Sequence, residues 1–587
     1  MNLFQAIFNQ DSLQRTAILY EQQRISYAYL RQLTLAVAGA LRALEIRSGD
    51  RVALLLNDSP EFIASFIAVC SYGAIAVPIN TGLGLDQQRA ILNDCAASVA
   101  LAEIEISAAL LSYPEIMLPH VKELVVVTRQ QVHEELATGY PGNLRKGKPE
   151  NKALKIWSLG EVMCEARSRS HGDFLETPFA DLRDNQPAFI LYTSGSTGEP
   201  KGAVHSQANI FYTNETYGRE VLRLRAGDRL FSSSRLPFAY GLGNAFTFPL
   251  LNGCTTILCR EKPSPEVIAR VFAEYQPTIF FAVPVVYRLL LDQSTKHERG
   301  NLSPSSSGRG PSGHVLASSS APSPGPSPGE GNKDPRLDCS SLRLCVSAGE
   351  ALPAQLGEEW ETAFGVPVLD GIGSTEMLHM WMSNHEGENV YGSSGKLLTG
   401  YEARLLDPEG QPAPTGAEGN LWVRGASAAI GYWERPETTA STFVDGWVRT
   451  GDIYRQDADG FWFHMGRSDD CFKSSGQWVS PVEVEGVLLR HEGINRVAVV
   501  EDFDAVGLPC ACAFVVVKEA EPGRADSISN EPGLEDGLRK LTSEHLPRFK
   551  QPRRYVFIDE LPYTATGKIQ RFKLREQLRA KRRGGER

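Results

Sequence analysis

Two stretches of the chain alternate between short apolar runs and helical patterns, and this alternation limits the fold more than any other feature. In the first stretch, an apolar run at Val52–Leu56 is followed by a helical pattern at Pro60–Tyr72 and a second run at Ala74–Pro78. Further along, apolar runs recur at Thr278–Val283 and Leu342–Ser347. Such alternation is typical of βαβ units, whose parallel strands are covered by helices on both faces. The sequence therefore predicts an α/β protein with two doubly wound βα subdomains.

The last third of the chain has a different pattern. From Tyr391 to Phe463, short alternating runs are broken by Gly, Pro and Asp, which is typical of antiparallel strands and predicts a small β-barrel. Beyond Arg467, strand and helix patterns mix again. With 587 residues, the chain is too long for one hydrophobic core. We expect a large N-terminal domain at 1–467, which includes the barrel, and a small α+β C-terminal domain at 468–587.

One segment has a composition that does not suit a folded core. Of residues 300–331, 23 of 32 are Ser, Pro or Gly and none is aromatic, so the segment cannot bury enough surface to offset the entropy of ordering. A disordered insert is predicted at about 297–335. The run Gly325–Gly329 inside it matches the serine-hydrolase pattern, but the flanking prolines and the lack of a strand–turn–helix context make the match accidental.

A loop rich in glycine and hydroxyl groups follows the apolar run Ala188–Leu191, which predicts a buried strand. Glycines let backbone N–H groups approach a ligand, hydroxyls donate to phosphate oxygens, and a lysine adds a positive charge. Because Pro200 precedes the lysine, this is not a Walker loop. The candidate phosphate-binding residues are Thr193, Ser194, Gly195, Ser196, Thr197, Gly198 and Lys201.

Charge and composition exclude several classes of partner. A net charge of −10 without a sustained basic stripe disfavours nucleic acid. No apolar run is long enough to span a membrane, and the N-terminus lacks the pattern of a signal peptide. The ten cysteines are scattered without metal-binding spacing, which favours reduced thiols and a cytoplasmic protein.

Four further motifs follow the loop in order: Gly373–Glu376, Arg449–Asp452, Gly466–Asp470 with Gly476, and Thr566–Ile569. With this set, the chain resembles the adenylate-forming acyl-CoA synthetase superfamily over almost its whole length. Within that superfamily, three segments resemble the benzoate–CoA ligase family: Phe238–Asn244, Asp370–His379 and Lys568–Lys573.

The resemblance implies a two-step reaction. A carboxylic acid and ATP would form an acyl-adenylate and pyrophosphate, and the acyl group would then pass to the thiol of coenzyme A. Carboxylate and phosphate are both anionic, so a cation and a metal ion must neutralise the charge between them. Lys568 is the candidate cation, Glu376 the candidate Mg²⁺ ligand, and Thr375 a phosphate contact.

Further roles follow from the same resemblance. The ribose would be held by Asp452 with Arg467 nearby, and the adenine would lie against a segment made of Asp370, Gly371, Ile372 and Gly373. The C-terminal domain would be mobile and turn on a hinge at Asp469 between the two steps. Gly476 would line the tunnel for the coenzyme A thiol.

The expected acyl pocket contains Phe238, Ala239, Tyr240, Gly241, His379 and Met380. It lacks the aspartate with which amino-acid-activating relatives pair the substrate ammonium, so a buried amine would have no counter-ion. Tyr240 offers a flat wall to a planar ring. Benzoate or a simple substituted benzoate fits best. His379 either contacts a ring substituent or is a hydrogen-bonded core residue, and the sequence leaves both open.

Other functions compete with this hypothesis. An aryl-AMP ligase would load a carrier-protein phosphopantetheine, and a ligase for another small acid would share the motifs. A catalytically silent binding protein is disfavoured because Lys568 and Glu376 are both present. A monomer and a homodimer are equally compatible with the sequence.

Overall fold

The structure is a computed structural model. It describes residues 2–9, 13–112, 118–128, 154–169, 179, 183, 185–194, 200–300, 337–474, 477–504, 507–518, 533–563 and 569–584. The predicted disorder of the insert falls almost wholly outside these residues.

Strands and helices follow one another along most of the described chain. The strands, numbered in chain order, are β1 (Thr16–Tyr20), β2 (Gln23–Ser26), β3 (Arg51–Leu55), β4 (Ile75–Pro78), β5 (Val99–Glu103), β6 (Glu123–Val127), β7 (Lys155–Ser158), β8 (Pro187–Ser194), β9 (Pro200–Ser206), β10 (Arg229–Ser232), β11 (Thr255–Leu258), β12 (Ile279–Ala282), β13 (Leu344–Ser347), β14 (Val368–Gly373), β15 (Met380–Ser383), β16 (Lys396–Leu397), β17 (Glu402–Leu406), β18 (Glu418–Arg424), β19 (Gly431–Tyr432), β20 (Phe443–Val444), β21 (Trp447–Gln456), β22 (Trp462–Arg467), β23 (Phe472–Ser474), β24 (Gln477–Val479), β25 (Ile494–Phe503), β26 (Pro509–Val517) and β27 (Arg554–Phe557). The α-helices are Leu3–Phe8, Tyr27–Ala43, Pro60–Tyr72, Leu85–Cys95, Ile104–Leu111, Leu159–Arg169, Gln207–Thr213, Ala239–Leu242, Phe248–Leu251, Pro265–Tyr275, Pro284–Gly300, Ala354–Phe364, Pro436–Thr442, Pro481–Leu488, Leu534–His545 and Arg571–Gly584, with π-helical turns at Asn214–Arg219 and Gly243–Thr247 and a 3₁₀ turn at Thr375–Met377.

The two predicted βα subdomains are present as two large sheets. The first has eight strands in the order β19-β9-β8-β4-β3-β5-β6-β7, and the second has nine in the order β16-β15-β14-β13-β12-β10-β11-β1-β2. The hairpin β1–β2 comes before the first sheet in the chain but joins the second, where Ile18 pairs with Thr256. The sequence patterns did not indicate this exchange.

The helix Pro60–Tyr72 illustrates why these segments are helical. Ser59 accepts a hydrogen bond from the N–H of Phe62, and Pro60 occupies the first turn, where its missing N–H is not needed. Nearly every residue of this helix is buried, because it lies in the main apolar cluster together with the helix Tyr27–Ala43 and strands of both sheets.

One edge of the nine-stranded sheet collects the segments that carry the motifs. Strands β10, β12, β13 and β14 run parallel, so their carboxyl ends meet at the same edge. The segment with Phe238 follows β10, Glu350 follows β13, and the turn with Thr375 follows β14. This is the edge at which open α/β sheets bind ligands.

The antiparallel part and the C-terminal part form separate sheets. Strands β17, β18, β21 and β20 make an open antiparallel sheet, with β22 also paired to β21. After it come the β23–β24 hairpin and the three-stranded sheet β25-β26-β27, which packs with the helices Pro481–Leu488 and Leu534–His545 in its own apolar cluster. Within the described residues, no helix combines the length and apolar character needed to cross a membrane.

Candidate active site

The short turn after β14 carries two of the predicted residues, Thr375 and Glu376. Ser374 caps the turn by accepting the N–H of Met377. From the other sheet, Nε2 of His205 in β9 lies 2.8 Å from the carbonyl oxygen of Thr375. Burial lowers the pKa of His205 to about 4, so its neutral ring donates this hydrogen bond through Nε2–H. The turn is therefore fixed between the two sheets.

Glu376 is held by a tyrosine that the sequence analysis did not single out. The Tyr432 hydroxyl donates to Oε1 of Glu376 at 2.7 Å. Tyr432 lies in β19, which pairs with β9, and the ammonium of Lys201 lies 6.0 Å from the centre of its ring. Burial, chiefly, and the Glu376 carboxylate raise the pKa of Tyr432, so the phenol stays a donor.

This arrangement suits a magnesium ion bound mainly by phosphate. The Tyr432 hydroxyl occupies one Glu376 oxygen, Oε1, and the second oxygen, Oε2, receives no hydrogen bond from the described residues. Among those residues, no group of three or more carboxylates, imidazoles or thiols could hold a metal ion by itself. One carboxylate beside phosphate oxygens is a coordination that Mg²⁺ commonly takes.

The predicted phosphate loop lies at the end of a β-hairpin. Strands β8 and β9 pair antiparallel, with Thr193 opposite Lys201. The side chain of Ser194 and the whole of Gly195, Ser196, Thr197 and Gly198 lie outside the described residues. A strand, rather than a helix, follows the loop, as expected for a cradle that is not a Walker loop.

Two of the predicted acyl residues, Tyr240 and His379, lie in one buried aromatic cluster with Tyr217 and Phe248, which the sequence analysis did not single out. The ring of His379 lies 4.6 Å from that of Phe248, 4.9 Å from that of Tyr217 and 5.8 Å from that of Tyr240. Tyr240 donates its hydroxyl to the carbonyl of Val346 at 3.1 Å, which fixes its ring. The result is an aromatic box beside the Thr375–Glu376 turn.

The His379 ring is neutral, and only one of its two nitrogens has a hydrogen-bond partner among the described residues. Burial lowers its pKa to about 3. Its Nε2 lies 3.2 Å from Oδ1 of Asn244, and because an amide oxygen only accepts, Nε2 carries the proton. Its Nδ1 is buried and has no hydrogen-bond partner among the described residues. His379 is therefore neither a fully hydrogen-bonded core residue nor an exposed ligand group.

Two glycines of the predicted site, Gly241 and Gly373, lie where the backbone is tightly packed. A Cβ on Gly241 would lie 2.1 Å from the carbonyl oxygen of Arg235, and one on Gly373 would lie 2.7 Å from that of His379. Both glycines thus allow backbone segments to touch, in addition to any room they leave for a ligand. Met380 is buried in β15, and Ala239 and Phe238 begin the short helix after β10.

The predicted adenine segment lies in β14. Asp370 is buried, and its Oδ2 accepts the N–H of Leu352 at 3.3 Å. Burial raises the pKa of Asp370 to about 8, which keeps the carboxyl protonated near neutral pH. Gly371 and Ile372 pair with Ser383 and Met382 of β15, and Ile372 is partly buried.

The predicted ribose pair comes from neighbouring strands. Asp452 in β21 lies opposite Arg467 in β22, and their side chains form an ion pair of 3.2 Å. Asp469 is exposed in the turn that follows, where Ser468 N–H donates to the carbonyl of Gly451 at 2.9 Å. Lys568 and Gly476 lie outside the described residues, so their predicted roles stay predictions.

Sequence reasoning missed Tyr432, His205 and Asn244, which support predicted residues from distant segments. Each lies beside its partner only because separate strands or helices meet, and no local pattern in the sequence marks that meeting. The fold, with two large βα sheets and a smaller C-terminal sheet, is that of adenylate-forming ligases.

Comparisons with known proteins agree over the whole chain. Residues 4–433 match the AMP-binding enzyme family, and residues 483–568 match the AMP-binding enzyme C-terminal domain. The chain is 37% identical to the benzoate–CoA ligase of Thauera aromatica over 94% of this chain and 90% of that protein.

Two solved structures are also similar. The anthranilate CoA ligase AuaEII in complex with anthranoyl-AMP has a TM-score of 0.80 at 32% identity, covering 98% of this chain and 97% of that one. A benzoate CoA ligase from Burkholderia xenovorans LB400 has a TM-score of 0.77 at 32% identity, covering 98% and 100%.

The chain belongs to the AMP-binding enzyme family, the adenylate-forming acyl-CoA synthetase superfamily, and lies near its benzoate–CoA ligases. The predictions of this superfamily, of an α/β fold with a large N-terminal and a small C-terminal domain, and of an acid–thiol ligase are confirmed. ATP and coenzyme A are the co-substrates of this class of ligase.

Proposed function

We propose that the protein joins benzoate, or a simply substituted benzoate, to coenzyme A in two steps. In the first, a carboxylate oxygen attacks the α-phosphorus of ATP, and the bond to pyrophosphate breaks. In the second, the coenzyme A sulfur attacks the carbonyl carbon of the acyl-adenylate, and AMP leaves. The observation that most favours an aromatic acid as substrate is the group of aromatic rings, Tyr217, Tyr240 and Phe248, around a neutral His379.

The residues would divide the first step between them. Thr193 and Lys201 would hold phosphate oxygens together with the loop between β8 and β9. Thr375 would contact the α-phosphate, and Glu376, oriented by Tyr432, would hold Mg²⁺. When bound, the magnesium ion would supply positive charge to the phosphate oxygens. Lys568 would bring an ammonium group between carboxylate and phosphate.

The nucleoside and the pocket complete the assignment. Asp452, paired with Arg467, would accept the ribose hydroxyls, and the adenine would lie against Asp370–Gly373. Because burial raises the pKa of Asp370 to about 8 and lowers the pKa of His379 to about 3, both side chains are neutral near pH 7 and offer no charge to an amino-acid substrate.

We place the domain boundary after Arg467. Strand β22 ends at this residue and pairs with β21 of the large domain, whereas β23 and all later strands belong to other sheets. Residues 1–467 would form the large domain and 468–587 the small one, with Asp469 as the hinge and Gly476 in the thiol tunnel.

The proposal is tested with purified protein, ATP, Mg²⁺, coenzyme A and benzoate. We expect benzoyl-CoA, AMP and pyrophosphate in equal amounts. Benzoyl-AMP without benzoyl-CoA would instead indicate a carrier-protein thiol as acceptor. A screen of pyrophosphate exchange across ring-substituted and non-aromatic acids would identify the preferred acid, and equal exchange with acetate would contradict the aromatic assignment.

The role of Lys568 is tested by measuring acyl-adenylate formation in Lys568→Ala. Loss of one positioned charge in a phosphoryl-transfer site lowers rates by roughly 100-fold or more. An unchanged rate of benzoyl-AMP formation would contradict the assignment of Lys568 as the cation.

A further inference from the structure

A hydrogen bond links Glu350, near the candidate nucleotide site, to Ile569, the residue after Lys568. Glu350 lies three residues beyond the end of β13, at the sheet edge where the motifs gather. Its Oε1 accepts the backbone N–H of Ile569 at 3.0 Å, a contact between residues 219 apart in sequence. Ile569 directly follows Lys568 in the chain. Glu350 of the large domain thus contacts the small domain at the residue next to the candidate cation.

The small-domain side of this contact is well anchored. Tyr563 and Ile569 form an antiparallel bridge, and Gln570 N–H donates to the carbonyl of Pro562 at 2.8 Å. Arg496 of β25 contacts the Tyr563 hydroxyl at 3.3 Å. The residues on both sides of 564–568 are therefore tied to each other and to the sheet of the small domain. Because Ile569 is bonded directly to Lys568, a contact that holds Ile569 also limits where Lys568 can lie.

Charge strengthens the contact. A carboxylate that accepts a backbone N–H makes a charge-assisted hydrogen bond, about twice as strong as a neutral one. The Glu350 carboxylate also interacts electrostatically with the guanidinium of Arg571, which begins the helix after Ile569. Arg571 is itself fixed by Glu485 at 2.8 Å. Glu350 therefore faces a rigid, cationic part of the small domain.

We propose that Glu350 is a docking residue for acyl-adenylate formation: its carboxylate binds Ile569 N–H and so positions Lys568 for the first step only. This rests on the proposed function, in which Lys568 is needed for the first step and leaves before the second. A contact that forms in only one of two domain arrangements stabilises that arrangement by the free energy of the contact. Glu350 is a positioning residue, since it acts through Lys568 rather than on the substrate.

The test separates the two half-reactions in the full-length protein. Pyrophosphate release from ATP and benzoate measures the first, and benzoyl-CoA formation from synthetic benzoyl-AMP and coenzyme A measures the second. Losing a hydrogen bond to a charged group corresponds to roughly a tenfold rate effect or more, so we expect Glu350→Ala to slow the first half-reaction by about 10- to 100-fold. Glu350→Gln, which keeps an acceptor oxygen, should slow it less, and the second half-reaction should change less than about twofold in both variants.

Two comparisons distinguish docking from a general structural role. Glu358→Gln changes an exposed glutamate on the nearby helix Ala354–Phe364 and should leave both half-reactions unchanged. If Glu350 acts through Lys568, then adding Glu350→Ala to Lys568→Ala should cause no further loss in the first half-reaction. Additive losses would overturn the proposal.

Other outcomes would also overturn it. Equal slowing of both half-reactions would indicate a folding defect. A raised KM for ATP with unchanged kcat would indicate direct nucleotide binding by Glu350. Wild-type rates in Glu350→Ala would show that the contact does not position the lysine. If Lys568→Ala retains the first half-reaction, the proposed role of Lys568 fails first, and this result is separate from any result with Glu350.

Discussion

The phenol of Tyr432 ties the candidate magnesium ligand to a strand of the other large sheet. Its hydroxyl donates to Oε1 of Glu376 at 2.7 Å, which orients the side chain and leaves Oε2 without a hydrogen bond from the described residues. Groups that orient a metal ligand typically change metal affinity by 10- to 100-fold when they are removed. Tyr432 therefore belongs to the site although it touches no substrate in the proposed scheme.

We expect Tyr432→Phe to raise the Mg²⁺ concentration needed for half-maximal pyrophosphate release by roughly tenfold, because the Glu376 carboxylate loses its orienting partner. A magnesium titration at saturating ATP and benzoate measures this. Tyr391→Phe is the matched control, since Tyr391 also donates to a glutamate, Glu361, at 2.7 Å, but on the outside of the molecule. An equal magnesium requirement in both variants would show that Tyr432 does not orient the candidate magnesium ligand.

Single residues were predictable from sequence where the motifs shared with the family select them. Asp452 and Arg467 were expected near each other, and the structure pairs them at 3.2 Å. The environment of His379 was not predictable, because its neighbours Tyr217 and Phe248 come from segments more than a hundred residues away that reach it through tertiary packing. The local sequence determines which functional group is present, whereas tertiary packing determines its protonation state and its hydrogen-bond partners.

The helix Arg571–Gly584 and the helix Pro481–Leu488 are joined by a nearly buried ion pair. Arg571 Nη2 donates to both oxygens of Glu485, at 2.9 and 2.8 Å, and the two side chains are 16% and 10% exposed. Glu485 also accepts the N–H of Val499 in β25. Asp470, next to the candidate hinge, binds Arg575 of the same C-terminal helix at 2.9 Å. Ion pairs and a hydrogen bond thus join the two helices, β25 and the residue next to the candidate hinge.

Replacing one partner of a buried pair leaves the other charge uncompensated, which costs about 3 kcal/mol or more. We expect Glu485→Gln to lower amide-exchange protection in β25 by roughly 100-fold, since each tenfold change corresponds to about 1.4 kcal/mol. The control is Glu535→Gln, which breaks an exposed pair with Arg539 on the helix Leu534–His545 and should change protection by less than about threefold. Equal effects of the two changes would contradict this view of the small domain.

Whole elements were predictable where one periodicity dominates. The helix Pro60–Tyr72 has the predicted bounds, because the Ser59 cap, the proline in the first turn and the apolar pattern agree there. The pairing of β1 with β11 was not predictable, because the register between Ile18 and Thr256 depends on contacts 238 residues apart. Strand existence is a local property, whereas strand order is a property of the whole sheet.

At the scale of the molecule, the Ser/Pro/Gly-rich insert stands apart, because none of the predicted site residues lies in it. The helix Pro284–Gly300 precedes it, and Leu337 follows it; Val286 of that helix and Leu337 both pack against the same apolar cluster. Both flanks of the insert are therefore anchored to one core. The free energy of closing a loop changes by only about 0.6 kcal/mol for each doubling of its length, so the length of such a connection matters little.

We expect deletion of residues 300–331 to change kcat/KM for benzoyl-CoA formation by less than about twofold, because the flanking segments keep their packing and the loop-closure term is small. A second variant replaces the same residues with a glycine–serine linker of equal length, which keeps the span and removes the sequence. Steady-state assays of both variants beside the unaltered chain measure the effect. Activity lost in both variants would show that the Ser/Pro/Gly-rich sequence itself takes part in turnover. Activity lost only on deletion would show that the span is needed and its sequence is not, and would contradict the expected tolerance of shortening.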